Sequence, residues 1–215
     1  MNGLIRTSGK ALVALSTGGL LGFTALTGTG TAEDRPPAAA TPPAATTPSA
    51  GPRTYGKGAT AEQALKAEIA RRGPGAAAAP LVCYRAHVAT KGWQESVCHG
   101  EPTGTIGRGL AIEAVNVAVT GVGRFCAKAH IRDLDWQEKR CSNGQGSVYV
   151  GTEGQNRPME AFYLELTDNW ADTVWGQAHV QDYDWMPVRE APNNITIGMT
   201  GAGKRLEAIR LAVYR

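Results

Sequence analysis

Apolar and polar residues alternate along two stretches of each of three segments in the carboxyl-terminal part of the chain. A period of two is typical of β-strands that bury one face. The apolar residues of one alternating stretch are called a stripe. The first stripe is clearest as Val82, Tyr84, Ala86 and Val88 in one segment and as Phe125, Ala127, Ala129 and Ile131 in the next. The second stripe is Val115, Val117 and Val119; Phe162, Leu164 and Leu166; and Ile209, Leu211 and Val213. The pattern therefore predicts two main strands in each segment.

The three segments also share histidine, tryptophan, glycine and glutamate residues at matching positions. Each histidine precedes a tryptophan by six residues, and the glycines and the glutamates each recur at intervals of 47. The residues are His87, His130 and His179; Trp93, Trp136 and Trp185; Gly104, Gly151 and Gly198; and Glu113, Glu160 and Glu207. Agreement at so many offsets indicates one supersecondary unit that is used three times. Residues 82–121, 124–168 and 173–215 are named units 1, 2 and 3.

The expected fold class is all-β, with three units that share one core. A short-stranded unit of this size exposes its sheet edges and buries little by itself, so the three units must close on one another. We therefore predict a threefold pseudo-symmetric domain that resembles a β-prism, with a β-trefoil as the alternative. The recurring glycines predict tight turns between the strands.

Four cysteines form two pairs, each with a separation of 15 residues. The pairs are Cys83 with Cys98 in unit 1 and Cys126 with Cys141 in unit 2. Unit 3 has Trp175 and Glu190 at the matching positions, so both members of the pair are absent together. The simplest of the three possible pairings is therefore one disulfide within each of the first two units. Four free thiols or a zinc site are the alternative.

The residues before the repeats predict an exported protein. Residues 1–32 combine basic side chains, a short apolar run and a small-residue cleavage sequence, which predicts a secretory signal peptide and an extracellular location. Residues 33–58 are expected to form a Pro-, Ala- and Thr-rich linker, 59–73 a short helix with a capping box at Thr60, and 74–81 a spacer. No membrane anchor is expected once the signal is cleaved.

The positive charge of the chain belongs to this leading part and not to the repeats. The chain has 22 basic and 19 acidic side chains, a net charge of +3. Residues 1–81 hold 8 basic and 4 acidic side chains, which leaves 14 and 15 for residues 82–215. A nearly neutral folded part gives no support for a phosphate-binding surface, so nucleic acid is not an expected partner.

Four short sequences in unit 1 recur in the same order in the other two units. They are Val82-Cys-Tyr-Arg-Ala-His-Val88, Gly92-Trp93-Gln94, Gly104-Thr-Ile-Gly107 and Ile112-Glu-Ala-Val115. Together they resemble the clostridial hydrophobic W repeat, with Asp135 and Asp184 in place of the glycine before tryptophan and Met199 in place of threonine. The resemblance implies an exported or cell-surface module found with adhesion and polysaccharide-degrading proteins. It implies no catalytic residues.

The repeated histidines and tryptophans are the candidate ligand-binding residues. A large apolar side chain that recurs at one place is interpreted first as part of the core, with sugar stacking or partner contact as the alternative. The histidines lie by parity on the face opposite the apolar stripe, so we expect them to be exposed or half-buried. A structural hydrogen bond, a ligand contact and a three-histidine metal centre are their possible roles. The candidates are His87, His130, His179, Trp93, Trp136 and Trp185.

The repeated glutamates are expected to be structural. The parity of Glu113, Glu160 and Glu207 places them with the inward-facing apolar residues, where an unpaired carboxylate is costly. Each is expected to accept hydrogen bonds from turn N–H groups, or from the histidine of its own unit if a bulge reverses the parity of one strand. Three equivalent carboxylates do not form the differentiated pair that a glycosidase uses.

These features favour a secreted, non-catalytic binding module without cofactor or metal. Up to three equivalent sites suit a repetitive extracellular ligand such as a glycan or the cell wall, because avidity then replaces affinity. A module that binds, inhibits or acts on another exported protein is the alternative. A secreted hydrolase that uses the histidines and acidic residues is the third possibility.

Overall fold

The structure is a computed structural model that describes residues 55–56, 58–143, 146–168 and 171–215. These residues all lie within the segment Pro37–Arg215. The predicted signal peptide and residues 33–54 of the predicted linker lie outside the described residues.

The described residues form one α-helix, one short 3₁₀ helix and fifteen strands. The helices are α1 (Ala61–Arg72) and the 3₁₀ turn Ala76–Ala78. The strands are β1 (Leu81–Val88), β2 (Gly92–Trp93), β3 (Val97–Cys98), β4 (Thr103–Gly104), β5 (Ile112–Thr120), β6 (Phe125–Ile131), β7 (Asp135–Trp136), β8 (Arg140–Ser142), β9 (Val148–Gly151), β10 (Met159–Leu166), β11 (Thr173–Val180), β12 (Asp184–Trp185), β13 (Arg189–Pro192), β14 (Asn194–Gly198) and β15 (Leu206–Tyr214). The all-β prediction is confirmed for the repeats.

The strands form three antiparallel sheets of five strands each. Sheet 1 has the order β2-β1-β5-β9, with β3 also paired to β1. Sheet 2 has the order β7-β6-β10-β14, with β8 also paired to β6, and sheet 3 has the order β12-β11-β15-β4, with β13 also paired to β11. Each sheet is therefore centred on the two long strands that the apolar stripes predict for one unit.

One strand of each sheet comes from a different unit. Strand β9 of unit 2 joins sheet 1, β14 of unit 3 joins sheet 2, and β4 of unit 1 joins sheet 3. Each unit thus donates one strand and receives one, and the three donations form a cycle. The donated strand covers the edge of the last long strand of the receiving unit, which the sheet would otherwise leave unpaired.

A single apolar core is formed by the facing sides of the three sheets. Both predicted stripes are buried in it, from Val82 and Tyr84 in unit 1 to Leu211 and Val213 in unit 3. Tyr84 also joins two units directly, because its hydroxyl accepts a hydrogen bond from the Leu211 amide at 2.8 Å and donates one to the Glu101 carbonyl at 2.5 Å. Burial raises the pKa of this phenol.

Helix α1 packs on the face of sheet 1 opposite the shared core. Its predicted capping box is present: the Thr60 hydroxyl accepts from the Gln63 amide at 3.2 Å, and the Gln63 side chain accepts from the Thr60 amide at 2.9 Å. The Asn116 side chain of β5 accepts a further bond from the Ala61 amide at 2.9 Å. The apolar contact is made by Ala61, Ala64, Leu65, Leu81, Cys83, Cys98 and Ala118. Among the described residues, no helix has the length and apolar character needed to cross a bilayer.

Both predicted disulfides are confirmed. Cys83 lies directly opposite Cys98 in the pairing of β1 with β3, and Cys126 lies opposite Cys141 in the pairing of β6 with β8. In sheet 3 the same register places Trp175 opposite Glu190. The disulfides therefore close the same hairpin in two units, and a non-covalent pair occupies the position in the third.

Candidate functional site

A β-bulge brings each repeated glutamate to the histidine of its own unit. In sheet 1 His87 pairs with Ala114 and the next residue, Val88, pairs with Ile112, so Glu113 is the extra residue of the bulge. The same shift occurs at Glu160 and Glu207. An extra residue bends the strand and redirects its side chain. The glutamates thus leave the inward parity that the sequence predicts, which is the bulge alternative considered above.

Each glutamate carboxylate lies close to the histidine ring of its own unit. The distance from histidine Nδ1 to glutamate Oε2 is 3.0 Å in unit 1 and 3.3 Å in units 2 and 3. None of the three Nδ1 atoms makes a hydrogen bond among the described residues, so the contact is a close approach of the two groups and not a directed bond. The expectation of exposed or half-buried histidines is wrong for His87 and His179, which are 8% and 6% exposed, whereas His130 is half-buried.

The repeated tryptophans pack against the histidines and shield them from solvent. Each tryptophan ring meets the edge of its histidine, with centroids 5.4, 5.3 and 5.5 Å apart in units 1 to 3. A cation lies over each indole, at 4.4 Å for Arg85, 4.5 Å for Lys128 and 4.2 Å for Arg210. Arg210 comes from the neighbouring strand, where it pairs with Gln177, the residue that replaces Arg85 and Lys128 in unit 3. Cation–π contacts of this geometry stabilise a ring in one orientation.

The interpretation of the tryptophans as core residues is wrong. Trp93, Trp136 and Trp185 are all half-buried, and none is a member of the shared core. Their position follows from the register, because each lies on the short second strand opposite its histidine, on the outer face of its sheet. The three rings therefore form a repeated surface feature.

Units 2 and 3 add an aspartate to the histidine–glutamate pair. Asp135 Oδ1 lies 3.0 Å from His130 Nε2, and Asp184 Oδ1 lies 3.1 Å from His179 Nε2. Both aspartates have positive φ, 60° and 58°, at the position that Gly92 occupies in unit 1 with φ of 73°. Since glycine has no side chain, His87 has no carboxylate at Nε2 among the described residues.

Units 2 and 3 also add an arginine, which directly follows β6 in unit 2 and directly precedes β15 in unit 3. Arg132 Nε lies 3.1 Å from Glu160 Oε1, and Arg205 Nη2 lies 3.2 Å from Glu207 Oε1. In unit 1 the corresponding carboxylate of Glu113 instead accepts a hydrogen bond from the Gly154 amide at 3.3 Å. Aspartate and arginine are thus present together or absent together, so the formal charge of the cluster is the same in all three units.

In unit 1 two side chains of unit 2 contact the tryptophan ring. The Trp93 Nε1–H donates to Glu153 Oε1 at 3.0 Å, and the Tyr149 ring packs at 5.8 Å. Burial raises the pKa of Tyr149, and the Glu153 carboxylate raises it further. Burial lowers the pKa of Arg85, which nevertheless stays charged at neutral pH. Glu153 and Tyr149 belong to unit 2, so the ring of one unit is held by the donated strand and loop of another.

The three histidines do not form a common metal centre. Each contacts the glutamate and the tryptophan of its own unit, and His130 and His179 also contact an aspartate. The described residues contain no group of three potential ligands that could hold a metal. In unit 2 the cluster borders an open cleft of about 790 Å³ between the 131–136 hairpin and Gly201 and Gly203 of unit 3.

Several residues of these clusters were not predicted from the sequence. In the sequence, Asp135 and Asp184 were notable only because they replace the glycine before tryptophan. Arg132, Arg205 and Glu153 could not be identified because no equivalent residue recurs at the same repeat position. The two arginines do not occupy one repeat position: Arg132 follows the first long strand of unit 2, whereas Arg205 precedes the last long strand of unit 3. Only the tertiary structure shows that both reach the glutamate of their own unit.

Comparison with known proteins supports the repeat resemblance in two units. The model of the family described as clostridial hydrophobic W matches residues 87–121 and 179–214. These segments lie in units 1 and 3, and each begins at the histidine and ends at the last long strand. No curated protein and no solved structure matched the chain. Two segments of this chain are therefore similar to the clostridial hydrophobic W repeat.

Proposed function

We propose that this protein is an exported, non-catalytic module that binds an extracellular polysaccharide such as a cell-wall glycan. The observation that carries the proposal is the placement of Trp93, Trp136 and Trp185, half-buried on the sheet surface and outside the core. The flat face of a pyranose carries C–H groups that stack on an indole ring. A ring that is already held by a cation and a histidine loses little conformational freedom when it binds.

The repetition of the rings supports a polymeric ligand. We propose that unit 2 is a third copy of the repeat and that the cyclic strand exchange gives a threefold, β-prism-like arrangement. Such an arrangement carries three aromatic platforms on one body. Neighbouring residues of a repetitive glycan then bind at high effective concentration, so that weak contacts suffice.

The charged clusters support a non-catalytic role. Each glutamate contacts a histidine together with an arginine or a backbone amide, and this histidine–glutamate pair recurs in all three units. A glycosidase needs two carboxylates with different protonation. Disulfides, which persist in oxidising compartments, together with the amino-terminal signal pattern, support export.

The proposal is tested by binding to a glycan array and to insoluble cell-wall preparations. We expect binding by the native chain and its loss when Trp93, Trp136 and Trp185 are all replaced by alanine, with thermal unfolding to verify the fold. Leu134→Ala, which changes an exposed side chain, is the matched control. Absence of saccharide binding by the native chain would overturn the proposal. Hydrolysis of a saccharide that disappears in His130→Ala would contradict its non-catalytic part.

A protein partner is the second candidate function, because exposed apolar side chains recur at one place. Leu134 and Tyr183 occupy the same position in the hairpins of units 2 and 3 and are 47% and 51% exposed, and Ile106 is 48% exposed. Exposed apolar groups mark interaction surfaces when they are clustered. One co-purified exported protein that is lost in Leu134→Ala/Tyr183→Ala, without saccharide binding, would favour this candidate.

A further inference from the structure

Each unit has a groove at the same place, between the residue that follows the tryptophan and the repeated glycine of the donated strand. The residues after the tryptophans are Gln94, Gln137 and Met186, and the glycines are Gly104, Gly151 and Gly198. The three grooves differ in what fills them, although the surrounding strands correspond.

The groove of unit 2 is closed by a side chain. Gln137 Oε1 accepts a hydrogen bond from the Gly151 amide at 2.8 Å, and its Nε2 donates to the Gly151 carbonyl at 3.4 Å. The glutamine therefore satisfies both backbone groups of the glycine that face away from sheet 1. A ligand at this place would have to break both bonds.

The groove of unit 3 is filled by apolar and basic side chains. Met186, Pro187 and Arg189 leave a cavity of about 10 Å³ against Ile197 and Gly198. Met186 also packs against the shared core. This space has no room for a sugar ring.

The groove of unit 1 is open, with a volume of about 620 Å³. Gln94 does not reach across it, because its Nε2 donates to the carbonyl of Gly92 at 3.0 Å. The amide and carbonyl of Gly104, the counterparts of the groups that Gln137 binds, have no side-chain partner among the described residues. The wall includes Lys91, Trp93, Gln94, Glu95, Pro102 and Gly104.

We infer that the groove of unit 1 is the principal saccharide site of the chain and that it takes a neutral pyranose. This inference rests on the proposed function and specifies its site and ligand class. Trp93 supplies an apolar platform, while Gln94 and the Gly104 backbone supply donors and acceptors for hydroxyl groups. Lys91 and Glu95 carry opposite charges, so the wall has no net charge to select an acidic sugar. The volume lies within the roughly 300–1,000 Å³ of small-molecule sites.

The test is isothermal titration of the full chain with neutral hexasaccharides of glucose, mannose and N-acetylglucosamine, and with hexagalacturonate as the acidic probe. We expect one principal site per chain for a neutral probe. Trp93→Ala should weaken binding about tenfold or more, as the loss of a central aromatic contact does. Trp136→Ala and Trp185→Ala should weaken binding less than Trp93→Ala does. Leu134→Ala, which changes an exposed side chain outside the groove, is the control and should change binding less than about twofold.

Gln94→Met keeps the test independent of any effect on folding. Methionine occupies this position in unit 3, where the groove is filled, so the variant should fold and lose binding. Three equivalent sites, or binding that survives both Trp93→Ala and Gln94→Met, would overturn the inference and leave the proposed function standing. Preference for hexagalacturonate would overturn the neutral ligand class. Absence of binding both to these probes and to the glycan array would remove the proposed function itself.

Discussion

At the scale of single residues, the three repeated glycines are the points where units cross. Gly104, Gly151 and Gly198 have φ values of 111°, 109° and 96°, and a Cβ on them would lie 2.3, 2.3 and 2.4 Å from a glutamate carbonyl oxygen of the receiving unit. Only glycine fits such a close approach of two backbones. Each of these glycines ends a donated strand, and a predicted turn follows it, with Gly107 in the turn of unit 1 and Gly154 in that of unit 2. Their interval of 47 residues, shared with the glutamates, therefore reports a contact between units.

Replacement of Gly151 by alanine is expected to destabilise the protein by about 3 kcal/mol or more, because the methyl group clashes with the Glu113 carbonyl in addition to the unfavourable φ. Urea unfolding measures the change. Gly154→Ala is the control, since Gly154 has a φ of 67° and nothing within 4 Å of the added Cβ. It should cost only about 1–2 kcal/mol. Equal costs at the two positions would contradict the importance of the crossing.

At the scale of elements, helix α1 packs on unit 1 through small apolar contacts and carries a buried carboxylate that is bound by residues of the helix and by Tyr55. Glu68 is 3% exposed and accepts hydrogen bonds from Arg71 and Arg72, at 3.0 and 2.7 Å, and from the Tyr55 hydroxyl. Burial alone would raise the pKa of Glu68, but the bonds from Arg71, Tyr55 and Arg72 outweigh it and lower the pKa to about 2. Burial and the nearby Arg72 lower the pKa of His99.

The stability of the protein is expected to fall in acid because of Glu68. The folded pKa of about 2 lies below the ordinary value of 4.5, so the contribution is complete above pH 4.5 and is lost as the pH falls toward 2. A shift of this size corresponds to about 3 kcal/mol. Urea unfolding between pH 5 and pH 2.5 should show a smaller decrease for Glu68→Gln than for the native chain.

The pH at which stability begins to fall and the variant Glu62→Gln distinguish the contribution of Glu68 from that of other titrating groups. The loss that comes from His99 begins as the pH falls below about 6.5, earlier than that of Glu68. Glu62→Gln removes a carboxylate of the same helix whose partner, Lys66, is exposed, and it should change stability at pH 7 by less than about 1 kcal/mol. Identical pH profiles for Glu68→Gln and the native chain would show that the ionised carboxylate of Glu68 does not stabilise the fold.

At the scale of the whole molecule, the cyclic exchange of strands makes the three units interdependent. Sheet 2 is incomplete without β14 of unit 3, and β4 of unit 1 has no partner without sheet 3. The shared core also draws its side chains from all three units. A single unit is therefore not expected to fold stably alone, unlike an independently folding domain of a tandem array.

A chain that ends at residue 168 is expected to lose cooperative thermal unfolding, measured by circular dichroism, because it lacks one strand of sheet 2 and about a third of the core. A peptide of residues 171–215, added separately, should restore the transition. Deletion of residues 1–54 is the control and should leave all three sheets intact. Cooperative unfolding of the truncated chain alone would show that the exchange is dispensable.

The strands could be predicted from the sequence because the alternation of apolar and polar residues within a strand marks that strand without information from the rest of the chain. Val115, Val117 and Val119 are buried as the stripe requires, and Cys83 pairs with Cys98 because a hairpin brings residues of such spacing together. The glutamate contacts were open to two interpretations, because one extra residue in a strand reverses which face a side chain meets. The tryptophans were predicted to lie in the core, but they are half-buried on the surface. The apolar character of a side chain does not by itself distinguish a core position from a surface position where neighbouring side chains pack against the ring.

The sequence by itself determined the three units, their long strands, the face of each strand that is buried and the disulfide pairing. These features depend on spacing within about 45 residues of chain. Only the tertiary structure decided which sheet receives each donated strand, which cation covers each tryptophan and which groove stays open. Those outcomes depend on contacts between units, such as Gly151 against Glu113 and Glu153 against Trp93. The two partners of each contact belong to different repeats, so the sequence pattern of one repeat does not reveal the contact.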